Sequence, residues 1–121
     1  MRKAQEVRVM ARMQMTDGMI VETDNARGHW NEGTQWDGNN NVSLATGSQW
    51  DHEELYRSRR GRYYIWRSSQ WQGSLDSAEW ISNEEACRWL LANGYTPDDV
   101  ETDDSYGWPA DLSDLIEELT D

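Results

Sequence analysis

Phenylalanine is missing from this chain altogether, and cysteine occurs once, at Cys87. A lone cysteine excludes an intramolecular disulfide and fits a reducing compartment. With no Phe and only 36% of residues hydrophobic, the core must come largely from Trp, Tyr, Leu, Ile, Val and Met. Eight Trp and five Tyr stand out in so short a chain. Each indole N–H wants a partner once buried, which favours sheets with polar rims over a helical bundle. No apolar run approaches the roughly 18 residues of a transmembrane helix. The start, Met1-Arg2-Lys3-Ala4-Gln5-Glu6, lacks the apolar stretch of a signal peptide. The cytoplasm is therefore the expected compartment, with no membrane partner. At 121 residues the chain has the size of one small domain.

Positive charge is absent from residues 97–121, which carry ten acids and no Lys or Arg. Residues 1–96 hold 13 acids against 11 bases, so most of the net charge of −12 belongs to the C-terminal segment. The expected organisation is an α+β body over 1–96 and an acidic segment over 97–121 packed on the same domain. Charge asymmetry of this kind marks an interaction segment or a solvated, solubilising one.

The pattern along the body is that of a hairpin-rich antiparallel sheet from about 5 to 81. Residues 6–15 alternate Val7, Val9, Ala11, Met13 and Met15 against polar neighbours, the period of a half-buried strand. Asp17-Gly18 then separates this run from Met19-Ile20-Val21, a hairpin signal in which both turn residues can take positive φ. Residues 24–41 are rich in Gly and Asn and read as loop, followed by a short strand at 41–45. A central hairpin pairs 53–58 with 62–71 across Arg59-Arg60-Gly61, and 78–81 reads as another short strand.

The period then changes. Ser82-Asn83-Glu84-Glu85 matches a capping box, Glu84 and Arg88 form an i,i+4 pair, and Gly94 stands where a helix would end. A capped helix over 83–93 follows. Leu112, Leu115, Ile116 and Leu119 recur at helical spacing among acids, which predicts a short amphipathic helix over 110–119. Its apolar stripe covers the domain's own sheet, inserts into a partner, or pairs two copies as a homodimer.

Gln-Trp appears three times after a hydroxyl residue: TQWDG at 34–38, SQWDH at 48–52 and SQWQG at 69–73. The starts are 14 and 21 residues apart, and a repeat architecture needs a constant period. A shared scaffold role at strand ends is the first reading; a surface platform of Trp36, Trp50 and Trp71 is the second. Together with WDGNNNVSLATGSQW at 36–50, the stretches LYRSRRGRYYI, SQWQG and AEWISNEEACRWLLANG resemble a group of small uncharacterised bacterial proteins associated with accessory and mobile-element genes. The resemblance covers roughly residues 34–94 and implies an accessory role, without a catalytic signature or an assigned activity.

Catalytic chemistry is thinly supported. His29, His52 and Cys87 are scattered, with no metal-ligand spacing. Asp51-His52-Glu53-Glu54 is the one dense group of acids and imidazole, and it reads as the exposed start of a strand. Cys87 falls inside the predicted amphipathic helix as a small packing residue. No loop has the context and the Lys needed to cradle phosphates. Neither a cofactor nor a metal is expected, and an enzyme is the least supported class.

Two binding readings remain. In the first, a non-enzymatic inhibitor occupies a cationic nucleic-acid-binding surface on a host-defence protein, as anti-restriction and anti-CRISPR proteins of the DNA-mimic class do. Asp98, Asp99, Glu101, Asp103, Asp104, Asp114, Glu117 and Glu118 would supply charge, with Tyr106 and Trp108 as anchors. In the second, the chain is a small nucleic-acid-binding module. Arg57, Arg59, Arg60, Arg62 and Arg67 place five of eleven bases within 11 residues, interleaved with Tyr63, Tyr64 and Trp66. Arginine for phosphates and aromatics for stacking is how strand surfaces hold single-stranded nucleic acid. Arg62, Tyr64 and Trp66 would share the binding face, Tyr63, Ile65 and Arg67 the other, with Arg59 and Arg60 at the turn.

Overall fold

The computed structural model describes residues 11–98 and 107–119, with the side chain of Glu117 outside that description. The chain runs through β1 (Arg12–Gln14), β2 (Ile20–Glu22), a 3-10 turn (Thr23–Asn25), β3 (Gly28–Asn31), β4 (Thr34–Trp36) and β5 (Asn41–Ser43). It continues through β6 (Asp51–Arg57), β7 (Tyr63–Ser69), β8 (Ser77–Ile81) and α1 (Asn83–Ala92). A 3-10 stretch (Ala110–Leu115) then leads into α2 (Ile116–Leu119). The class is α+β, as expected. Four strands form an antiparallel sheet in the order β3-β6-β7-β8, flanked by the hairpins β1-β2 and β4-β5.

The β1-β2 and β6-β7 turns use glycine in the same way. Gly18 N–H donates to Met15 O and Gly61 N–H to Ser58 O, each at 2.9 Å, and the next residues close the ladder through Met15 N–H to Met19 O and Ser58 N–H to Arg62 O. Only the glycine takes positive φ, +90° at Gly18 and +94° at Gly61, so Asp17 does not share that conformation as the Asp-Gly signal implied. These are three-residue turns with glycine in the left-handed position. The part of the first strand expected over residues 6–10 lies outside the described residues.

The segment 24–41, expected to be loop, contributes β3 and β4 instead. β3 reads Gly28-His29-Trp30-Asn31 and carries one large core side chain, Trp30. Its strand character comes from pairing with β6, where Trp30 stands opposite Leu55, and local propensity does not register that pairing.

Both faces of the four-stranded sheet are covered. On one, Trp30, Leu55, Tyr63 and Ile65 pack against Ala86, Cys87, Trp89 and Leu90 of α1 and against Leu112. On the other, Tyr56, Tyr64 and Trp66 pack against Met15 and Val21 of the first hairpin. Cys87 is a buried packing residue, and burial pushes its thiol pKa up.

α1 has the ends its sequence predicts. Ser82 Oγ accepts from Glu85 N–H at 3.1 Å, and Glu85 Oε1 accepts from Ser82 N–H at 2.9 Å. At the other end Tyr95 N–H reaches Leu90 O and Gly94 N–H reaches Leu91 O, the bonds of a Schellman motif. Buried Asn93 donates to Trp89 O and accepts from Gly33 N–H, tying the helix end to the β3-β4 connection. Replacing Ser82 with Ala is expected to cost about 1 kcal/mol, read as a lower urea midpoint at unchanged slope.

The apolar stripe of the C-terminal segment packs on the chain's own core: Leu112 is fully buried, and Leu115, Ile116 and Leu119 flank it. Two bonds anchor the segment further, Trp30 Nε1–H to Gly107 O at 3.2 Å and Tyr63 O–H to Asp111 Oδ1 at 2.9 Å. The expected helix over 110–119 is a 3-10 stretch for its first six residues and α-helical only over the last four.

Candidate functional site

The central hairpin has two unlike ends. At its turn, Arg59 and Arg60 are exposed and make no ion pair among the described residues. Arg62 pairs with Asp17 at 3.2 Å, and its guanidinium lies 3.9 Å from the Trp80 ring centroid. Arg57 pairs with Asp111 at 3.3 Å, and Arg67 with Glu53 and Glu79 at 3.0 and 2.6 Å. Three of the five arginines thus have acidic partners within the fold.

The aromatics assigned to nucleic-acid stacking are not available for it. Tyr64 is 0% and Trp66 8% exposed, because the β1-β2 hairpin lies over their face of the sheet. Tyr64 belongs instead to a row of rings crossing all four strands: His29 opposite Tyr56, Tyr56 opposite Tyr64, and Tyr64 opposite Trp80. Successive ring centroids are 4.4, 5.2 and 5.7 Å apart, the first two pairs stacked and the last edge-on. Arg62 closes the row over Trp80. At the other end His29 Nε2 lies 3.3 Å from Glu54 Oε1, which also accepts from Tyr56 O–H at 2.8 Å. These contacts hold the Glu54 carboxyl below its ordinary pKa, His29 contributing most.

At the far end of the hairpin sit two of the Gln-Trp phrases. Ser48 Oγ accepts from Trp50 N–H at 2.9 Å, and Ser69 Oγ accepts from Trp71 N–H at 3.2 Å. The hydroxyl thus satisfies the backbone N–H two residues on in these two phrases, which is one part of the scaffold role expected of all three. Both indoles turn outward: Trp50 is 40% and Trp71 58% exposed, with ring centroids 5.2 Å apart. Leu75, beyond the Trp71–Ser74 turn, is exposed as well. Thr34-Gln35-Trp36 differs: it forms β4, with Trp36 exposed opposite Asn41.

Beneath this end lies a partly buried polar hub that the sequence did not reveal. Glu32 accepts from Ser43 Oγ at 2.6 Å and from Glu53 N–H at 2.9 Å through Oε1, and its Oε2 lies 2.6 Å from His52 Nδ1. One carboxylate therefore joins β5 and β6 to the end of β3. The Glu32 hydrogen bond raises the His52 pKa above 6.5 against the opposing effect of burial. Glu53 accepts from Trp89 Nε1–H at 2.9 Å besides its bond to Arg67. His52, Glu53 and Glu54 thus make contacts within the fold, and among the described residues no group of three or more His, Cys, Asp and Glu side chains is placed to hold a metal.

Of the acidic candidates, Asp98, Asp114 and Glu118 are exposed. Asp99, Glu101, Asp103, Asp104 and Tyr106, with the Glu117 side chain, lie outside the described residues. Trp108 is not an outward anchor: its ring packs on the core and its Nε1 is buried. No helix among the described residues is long and apolar enough to cross a membrane. Comparison with known proteins adds no relative. No family model, curated protein or solved structure matches the chain. The geometry therefore carries the functional argument alone.

Proposed function

We propose that this chain is a non-enzymatic protein-interaction protein whose Trp50–Trp71 pair docks on a partner with a cationic surface. The pair carries the reading: two partly exposed indoles in contact, 5.2 Å apart, each held by a seryl cap at a strand end. Tryptophan is the side chain most enriched at interface hot spots, and pre-ordered rings lose little entropy on docking. The net charge of −12 favours a basic partner and speeds encounter with it. A nucleic-acid-handling protein of a restriction or CRISPR system presents such a surface, and inhibition by occupying it suits a small acidic chain. The reducing cytoplasm suits its buried thiol.

The alternative, a module that binds nucleic acid along the hairpin, loses Tyr64 and Trp66 to the core and keeps Arg59, Arg60 and Arg62.

Capture from nuclease-treated bacterial lysate tests the proposal, with wild-type chain and a Trp50→Ser/Trp71→Ser variant side by side. The wild type is expected to retain a basic protein that is released between about 50 and 300 mM salt. The variant is expected to retain at least about tenfold less at an unchanged unfolding midpoint, since a hot-spot indole is worth 2 kcal/mol or more. Equal capture by the variant sinks the proposal.

A further inference from the structure

The turn end of the central hairpin borders a cleft of about 380 Å³ between it and the first hairpin. Its walls include Arg12, Arg59, Arg60 and Arg62, with Tyr64 and Trp80 among the ring side chains and Met19, Ile20 and Val21 adding apolar surface. Among the described residues Glu22 is the one acid in the lining, and it is bonded to Arg12. In a chain of net charge −12, four guanidinium groups thus converge on one cavity.

A second observation points to a ligand. Tyr64 is fully buried, yet its hydroxyl has no hydrogen-bond partner among the described residues. Burial raises its pKa, so the phenol keeps its proton and can donate. A buried polar group left unsatisfied is costly in the free protein, and native structures seldom leave one without a reason. Arg59 and Arg60 also lack acidic partners among the described residues, so no described carboxylate competes for their forks. Guanidinium forks match the geometry of phosphate oxygens. The cleft volume lies at the small end of the range for small-molecule sites.

We propose that this cleft binds a small phosphomonoester with a ring-shaped or apolar body, about the size of a nucleoside monophosphate. Arg59 and Arg60 hold the phosphate at the mouth, with Arg62 fixed beside it by Asp17 and Trp80. The body of the ligand lies against Met19, Ile20 and Trp80, and an acceptor on it takes the Tyr64 hydroxyl proton in a hydrogen bond. The site is separate from the Trp50–Trp71 pair and does not depend on the function proposed for that pair.

Calorimetric titration of the full chain tests this, with AMP and phenyl phosphate as probes and adenosine and phenol as their uncharged counterparts. At least one phosphate is expected to bind with at least tenfold higher affinity than its counterpart. That affinity should fall at least tenfold in an Arg59→Gln/Arg60→Gln variant, whose turn bonds are made by the backbone and Ser58. Tyr64→Phe separates a binding role from a structural one. It keeps the ring in the core and removes only an unpartnered hydroxyl, so the thermal midpoint of the free protein should hold or rise. Affinity for the phosphate should nevertheless drop about fivefold or more. The proposal is overturned if neither phosphate outbinds its counterpart, or if the arginine variant binds as well as wild type. It is also overturned if Tyr64→Phe leaves affinity unchanged, or if an oligonucleotide without terminal phosphate binds more tightly than AMP through the same arginines, which would make the cleft part of a strand-binding surface.

Discussion

Replacing Leu112 with Ala is expected to lower the stability of the whole domain by about 3 kcal/mol, the usual cost of truncating a fully buried leucine. Leu112 stands at 0% exposure among Trp30, Leu55, Leu90 and Trp89. The side chain does more than fill space, because it seats the segment that brings Gly107 O to Trp30 Nε1–H and Asp111 to Tyr63 and Arg57. A cavity there loosens those bonds as well, so the loss extends beyond the packing of one side chain. Urea denaturation followed by tryptophan fluorescence is the measurement. With a slope of about 1–2 kcal/mol per molar urea for a domain of this size, the midpoint should move by roughly 2 M. A loss below about 1 kcal/mol would show that the C-terminal stripe adds little to the core.

Glu32→Leu is expected to be nearly as damaging, at about 2–4 kcal/mol, because it leaves several donors without their acceptor. Ser43 Oγ–H, Glu53 N–H and His52 Nδ1 all meet this one carboxylate. The substitution should also change how stability responds to pH. The folded-state pKa of His52 is raised above the unfolded value of 6.5, by Glu32 first and with help from Gln70 and Asp51. The charged imidazole therefore binds its proton more tightly in the folded chain. That contribution is fully present below about pH 6.5 and is lost as pH rises through the raised folded pKa. Wild type should lose stability across that window, and Glu32→Leu should lose less. Midpoints measured at several pH values between 5.5 and 9 decide it: parallel curves for the two proteins would remove His52 from the account.

Much of the local structure could be read directly. The capping box at Ser82, the Glu84–Arg88 pair, the glycine after α1 and the turn glycines are short-range chemistry, complete within a few residues. The Ser-Gln-Trp phrases belong to the same group, since the hydroxyl and the N–H it caps are two residues apart. β3 escaped notice because Gly28-His29-Trp30-Asn31 has no apolar alternation and owes its form to pairing with Leu55 and its neighbours, far along the chain. Glu32 gave no signal for a related reason. An isolated glutamate in a Gly/Asn-rich stretch looks solvated until the fold brings Ser43, His52 and the Glu53 backbone around it.

The candidate sites divide in the same way. Clustered arginines between 57 and 67 were plain in the sequence, but which of them remain unpaired depended on Asp17, Glu53, Glu79 and Asp111 arriving from other elements. The alternation of Tyr64 and Trp66 against Tyr63 and Ile65 was equally plain and held in the structure. Alternation says only that a strand has two faces; what lies over each is decided by packing. Here α1 with Leu112 covers one face and the β1-β2 hairpin the other. The sequence by itself determined the α+β class, the helix caps, the turns and the acidic balance, because each is set by neighbours a few residues away or by composition. Only the tertiary structure decided that Tyr64 is core, that the C-terminal leucines are spent within the chain, and that Trp50 and Trp71 meet at the surface. Burial and convergence are sums over distant parts of the chain, and no local pattern contains them.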